Sequence, residues 1–147
     1  MRQFIALGLP GGLALLFAGC VASTPSSVTL ENTYWRLTEV RGQPAVAVDN
    51  AREAHLKFAV DSAGAARVAG STGCNRLNGS YTRDGDVLRV GPTAMTRMAC
   101  VEPAIGAQEA ALLAALAATR RHAIVGDVLT LSDAEGPLAR FTAVATR

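Results

Sequence analysis

Apolar and polar residues alternate in short blocks along most of the chain, and a period of two predicts β-strands. Tyr34–Val40 reads as one strand, with Trp35 and Leu37 on one side and Glu39 interrupting the alternation. His55–Val60 alternates cleanly, placing Leu56, Phe58 and Val60 inward and His55 and Lys57 outward. Residues 61–64 form a turn cluster, and 67–70 supply a return strand. Two later segments share the phrase Gly-Asp-Val-Leu, at 85–88 and 126–129. Each lies between strand-like runs, 80–83 with 86–90 and 122–125 with 128–131. Asp84-Gly85 and Gly126-Asp127 suit tight turns that need positive φ, so both segments are expected to be hairpins. A final strand is expected over 138–144.

One segment has a different period. Pro103 suits a first helical position, and 104–119 continues without another proline. Ile105, Gln108/Glu109, Leu112, Leu116 and Thr119 recur at helical spacing, and Leu113 widens the stripe. Alanine favours the helix, and Arg120 and Arg121 fall where cations complement its C-terminus. One helix among about seven short strands predicts a mainly-β α+β domain. Its economical form is a small curved antiparallel sheet or partial barrel covered by the helix.

The first residues follow another logic. Met1-Arg2-Gln3 is a short positive start, and residues 4–18 are almost wholly apolar. That run is shorter than the roughly 20 residues a membrane-spanning helix needs, so it reads as a secretory signal. Leu16-Phe17-Ala18-Gly19-Cys20 resembles the lipobox of bacterial lipoproteins, with Phe17 where an aliphatic residue is usual. By that resemblance residues 1–19 are a signal peptide and Cys20 is lipidated. Residues 20–30, rich in Ser, Thr and Pro at their start, form a tether, and 31–147 form the domain. Several acyl chains on one cysteine anchor stably where a single chain is marginal. Val21 follows the cysteine where an Asp is absent, and by resemblance to lipoprotein sorting this favours the outer membrane, facing the periplasm.

Composition narrows the function. The chain has 147 residues, 14 Lys+Arg and 12 Asp+Glu, so one domain is expected and the net charge of +2 gives no reason to invoke nucleic acid. Of three cysteines, Cys74 and Cys100 remain once Cys20 carries lipid. An even remainder in an oxidising compartment reads as a disulfide, with two buried free thiols as the alternative. Neither His55 nor His122 is near a cysteine in sequence and no Cys-x-x-Cys occurs, so no zinc site is expected.

Several phrases in order resemble one family. They are Trp35-Arg36-Leu37 with Gly42, the run from Gly70 to Tyr81 containing Gly73-Cys74-Asn75 and Gly79, and Thr93 to Cys100 ending Met98-Ala99-Cys100. Glu109, Leu112, Leu116 and Gly126-Asp127 continue the match, while Leu77 stands where an aromatic is common. The chain resembles the META domain, the HslJ-like family of bacterial lipoproteins linked to heat shock. The resemblance implies a lipocalin-like barrel type of fold, an envelope-stress role and no catalytic residues.

The remaining chemistry is weak. Residues 70–75 lack the Gly-Lys-Ser/Thr of a phosphate loop and open no helix, so Gly73 and Asn75 are expected to serve a tight turn. Asn75 is also expected to hydrogen-bond nearby backbone. Met95, Met98 and Cys100 are soft donors of the kind copper(I) selects, but methionines usually fill cores. No hydrolase motif occurs, and Asp84/Asp86 lie in a turn. Arg76, Arg83, Arg89 and Arg97 form either an ordinary exposed face or a surface for an acidic partner. The expectation is a non-catalytic, cofactor-free envelope protein acting by binding. A small-ligand or lysozyme-inhibitor-like β-barrel lipoprotein is the alternative.

Overall fold

In a computed structural model, residues 28–47 and 53–145 are described. The signal segment, Cys20 and residues 21–27 of the tether lie outside the described residues. The elements are β1 (Tyr34–Val40), β2 (Gln43–Pro44), β3 (His55–Val60), β4 (Ala66–Ser71), β5 (Arg76–Asp84), β6 (Val87–Met95), α1 (Pro103–Ala118), β7 (Arg121–Val125), β8 (Val128–Ser132) and β9 (Pro137–Val144). All strand pairs are antiparallel, and the order β2-β1-β3-β4-β5-β6-β7-β8-β9 follows the sequence apart from the short β2. β1 also pairs with β9, so β1 and β3–β9 form a ring of strands with one helix against it.

The period of two decides what faces inward. Trp35, Leu56, Phe58, Val68, Leu88, Leu129, Leu131 and Phe141 are each 0% exposed and belong to a single core with Leu37, Leu77 and Tyr81. Phe58 and Tyr81 meet edge to face, ring centroids 5.2 Å apart. Burying each large side chain contributes about 1.5–3 kcal/mol, so this filled interior is the main source of stability.

Glu39 fails to alternate for a simple reason. The β1–β9 register shifts between Leu37 and Glu39, which turns Val40 into the core. Glu39 is then free to pair with Arg140 across the strand. Val60, expected inward, is 56% exposed because it ends β3 beside the 61–64 turn. The two hairpin turns carry Gly85 at φ +57° and Gly126 at φ +61°. β5 and β6 are longer than the expected runs 80–83 and 86–90, reaching from Arg76 to Asp84 and from Val87 to Met95.

β6 and β7 touch over a short length. Only Val87↔Arg121 is in register, flanked by Leu88 N–H to Arg120 O and His122 N–H to Asp86 O. α1 connects these two strands and packs against β6, β1, β9 and β8. Its inner face is Ile105, Gln108, Leu112, Ala115 and Leu116. The helix ends at Ala118, before both arginines. Arg120 still donates from Nη1 to the carbonyls of Ala117 (3.0 Å) and Thr119 (2.8 Å). Arg121 instead opens β7 and pairs with Asp86.

The folded body begins before residue 31. Leu30 is 2% exposed, and the Trp35 indole N–H donates to its carbonyl at 2.9 Å. Val28 packs against the same core.

Candidate functional site

Gly73, Cys74, Asn75, Met98 and Cys100 of the sequence-derived motif come together in one polar knot. Cys74 and Cys100 form a disulfide, their Cα atoms 5.7 Å apart, which ties the β4–β5 loop to the segment between β6 and α1. Their sulfurs are bonded to each other, so Cys100 is not a free thiolate beside Met95 and Met98. Cys74, Cys100 and the Glu109 carboxylate do cluster, yet the only anionic donor in that group is Glu109.

Asn75 is the centre of the knot and is 2% exposed. Its Oδ1 accepts from the Met98 backbone N–H (2.8 Å) and the Thr96 hydroxyl (2.9 Å). Its Nδ2 donates to the Met98 carbonyl (3.2 Å) and to the Glu109 carboxylate (3.0 and 3.1 Å). The Thr72 hydroxyl donates to Glu109 at 2.5 Å and accepts from the Asn75 N–H at 2.9 Å. Gln108 donates to the Thr72 carbonyl (3.0 Å) and accepts from Val46 N–H (2.7 Å). Gly73 sits at φ +98°, and its N–H donates to the Ser71 hydroxyl at 3.1 Å. Asn75 itself is not among the positive-φ residues of the described chain.

The knot answers a need set by the sequence. A helix that must pack on this loop brings two polar residues, Gln108 and Glu109, into its buried side, and buried polar atoms demand partners. Thr72 and Asn75 supply them, and no buried side-chain polar atom is left without a partner among the described residues. The signal available in sequence was the interruption of an apolar helical stripe by Gln108-Glu109. Thr72, Thr96 and their links to it were not legible there. Gly79, by contrast, lies away from the knot, packed against β6, where an added Cβ would come 2.9 Å from the Pro92 carbonyl oxygen. Ala99 is exposed beside the disulfide.

A second feature lies on the outer face of the sheet. A groove of about 580 Å³ crosses β1, β3, β4 and β5. Cross-strand register defines it: Tyr34↔Lys57, Lys57↔Ala69 and Ala69↔Asn78 make one row, His55↔Ser71 and Ser71↔Arg76 the next. The middle strand offers only Ala69, Gly70 and Ser71, while longer side chains rise on both flanks, so the trough follows from side-chain size. Gly70 also lets β3 approach closely, since a Cβ there would lie 2.0 Å from the His55 carbonyl oxygen. Tyr34 and His55 stack with centroids 4.4 Å apart, and Lys57 Nζ lies 5.4 Å from the Tyr34 ring centre. His55 Nδ1 is 3.0 Å from the Glu53 carbonyl, which can only accept, so Nδ1 carries the proton. The Tyr34 phenol is pushed up to about 12, by burial first and then by hydrogen bonding to Glu53.

Of the four arginines that could share a surface, Arg83 pairs with Glu31 at 3.2 Å, and Arg76 lines the groove. Arg89 and Arg97 are exposed. Tyr81 donates to the same Glu31 at 3.0 Å and is pushed up to about 12, chiefly by burial and then by that carboxylate. His122 is held below its ordinary range, mainly by burial, with Arg83 adding to the effect and the Asp86 carbonyl opposing it.

Residues 28–145 match the family described as META domain. No curated protein matches. Among solved structures, an NMR structure of a protein from Burkholderia xenovorans is 28% identical. It covers 91% of this chain and 100% of its own, with a TM-score of 0.63. A second NMR structure is 23% identical, covers 79% of this chain and 96% of its own, and has a TM-score of 0.59. The knot therefore sits within a family match that spans all of the described residues, and the chain belongs to the META domain family.

Proposed function

We propose that this HslJ-like META protein is a non-catalytic, lipid-anchored component of the bacterial envelope. It is held in the outer membrane through Cys20, faces the periplasm, and supports envelope integrity under stress by binding. The observation that carries this reading is the state of the motif's polar groups. Asn75, Thr72, Gln108 and Glu109 are engaged with one another and with backbone, which favours a structural role over proton transfer to a substrate. The ring is of lipocalin-like barrel type in this reading. Its packed interior favours binding on the outside rather than ligand carriage within.

Two measurements test it. Mass spectrometry of protein extracted from membranes should show a diacyl or triacyl mass on Cys20, and a soluble, unmodified mature chain refutes the anchor. Deletion of the gene should sensitise cells to envelope stress, and crosslinking in wild-type cells should capture a stoichiometric partner; neither effect would be seen if the binding role is wrong.

A protein-inhibitor role is the second reading. It is favoured by the segment next to the disulfide, where Met98 is 51% and Val101 92% exposed. A clamped apolar loop binds a partner at reduced entropic cost. Co-purification with lysozyme or another envelope hydrolase, lost on Val101→Asp, would support it.

A further inference from the structure

We propose that the outer groove between β1 and β5 is a binding site for a small ligand carrying at least two anionic groups, phosphate or carboxylate, on a compact polar frame. The proposal deepens the binding role above by naming a site and a ligand class. Three observations converge on it.

The first is charge. Lys57 and Arg76 stand on opposite flanks of the groove, and among the described residues neither has a carboxylate within 4.0 Å. Arg36, Arg67, Arg83, Arg121 and Arg140 all do. The single acid lining the groove, Glu53, is already turned to Arg36 and Tyr34. Among the described residues, the cationic flanks are therefore not neutralised from within.

The second is spacing. Lys57 and Arg76 lie two strands apart and in adjacent rows of the register, across β4. Strand separation of ~4.8 Å puts their backbones roughly 12 Å apart. Both side chains are long, and Lys57 Nζ lies over the Tyr34 ring, so the two cations border the recess from its β1–β3 side and its β5 side across Ala69 and Ser71. Such an arrangement suits two anionic groups better than one bare ion, and a recess of about 580 Å³ accommodates a frame between them.

The third is rigidity and a flat wall. The stacked Tyr34–His55 pair offers planar apolar surface beside the cations. The floor leads directly into the knot: Ser71 holds Gly73, and the Arg76 N–H donates to Thr96 at 3.0 Å. The disulfide and Asn75 thus fix the backbone at Arg76 before any ligand arrives, which lowers the cost of binding. Asn78 adds a neutral donor and acceptor on the same face.

The test is calorimetric titration of the full chain in zwitterionic detergent with citrate and with inorganic pyrophosphate, using N-acetylglucosamine as the neutral control. Saturable binding of at least one anion and none of the neutral sugar is expected. Lys57→Gln/Arg76→Gln should weaken that binding at least tenfold, while Arg89→Gln, an exposed arginine outside the groove, should leave it unchanged. Amide shifts on titration should concentrate at residues 55–57, 69–71 and 76–78. The proposal is overturned by absence of saturable binding, by a groove variant that binds as wild type, or by an equal loss in Arg89→Gln. Circular dichroism of the variants separates a lost site from a lost fold. Failure here leaves the anchor and the stress phenotype intact, whereas an unmodified Cys20 would remove the anchor without touching this result.

Discussion

The polar knot and the outer groove share the strand end at Ser71–Arg76, yet they treat polar groups in opposite ways. In the knot, each polar atom of Asn75 has a partner, and the residue is almost fully buried. In the groove, Lys57 and Arg76 keep their charges exposed and, among the described residues, without a carboxylate in contact. Buried polar groups must be satisfied or the fold suffers, whereas exposed cations are nearly neutral for stability and available for recognition. The Gly-Cys-Asn motif is the more conspicuous feature in the sequence, but its chemistry is directed inward. The less conspicuous neighbouring row faces outward.

This contrast can be broken most severely at Asn75. Asn75→Ala strands the Met98 backbone, the Thr96 hydroxyl and part of the Glu109 carboxylate, and should cost about 4 kcal/mol in urea unfolding, from partners left at 1–3 kcal/mol each. A loss below about 1 kcal/mol would mean that solvent replaces those partners and the knot is not closed. Removing both disulfide cysteines, as Cys74→Ala/Cys100→Ala, should cost ~3.5 kcal/mol, from the loop entropy released over a separation of 26 residues. Dithiothreitol should reproduce that shift in melting temperature in the wild type and have no effect on the variant. Gly70→Ala comes next, at about 3 kcal/mol, because the new methyl meets backbone that belongs to the paired strand. It would show that the floor of the groove is structural although its flanks are not.

Titration separates the regions more gently. Tyr34 in the groove and Tyr81 beneath Glu31 are both raised to about 12 from an ordinary 10. The folded state therefore holds these protons more tightly than the unfolded chain. Their contribution to stability is complete below pH 10 and falls as pH rises from 10 toward 12. Tyr81→Phe should flatten that alkaline decline in a pH series of thermal melts. His122 has the opposite sense. Its lowered value means that stability is present above about pH 6.5 and falls as acid protonates the unfolded chain first. His122→Phe should reduce the acid slope just below pH 6.5. The smallest effect is expected at Lys57→Gln and Arg76→Gln, each within about 0.5 kcal/mol of wild type. A larger loss would show that the groove's cations are structural after all.

Much of this architecture was legible in the chain. Period-two alternation marks β1 and β3, and the repeated Gly-Asp-Val-Leu phrase marks two hairpins. The 3.6-residue stripe marks the one helix among the described residues, and Gln108 within it is buried. What the pattern missed has physical causes. The bulge at Leu37/Glu39 shifts the register of one strand, so Val40 replaces Glu39 in the core. The expected runs 80–83 and 86–90 stop short because Arg76–Gly79 owe their strand conformation to pairing with β4 and β6 rather than to local alternation. Leu30 follows a stretch rich in Ser and Thr, and only its contact with Trp35 reveals its place in the core. The groove was beyond reach because its residues come from separate strands, and only the ring's register sets them side by side.

The pairing of Tyr34 with Val144 has a mechanical consequence. It makes the first and last strands of the domain antiparallel neighbours, so the two chain ends leave the body from the same edge. Pulling the N-terminal end against the C-terminal end would open the β1–β9 seam like a zipper, one pair of hydrogen bonds at a time. Pulling between the N-terminal end and the 133–136 turn, at the opposite end of β9, would instead shear strand pairs together and should require the greater force.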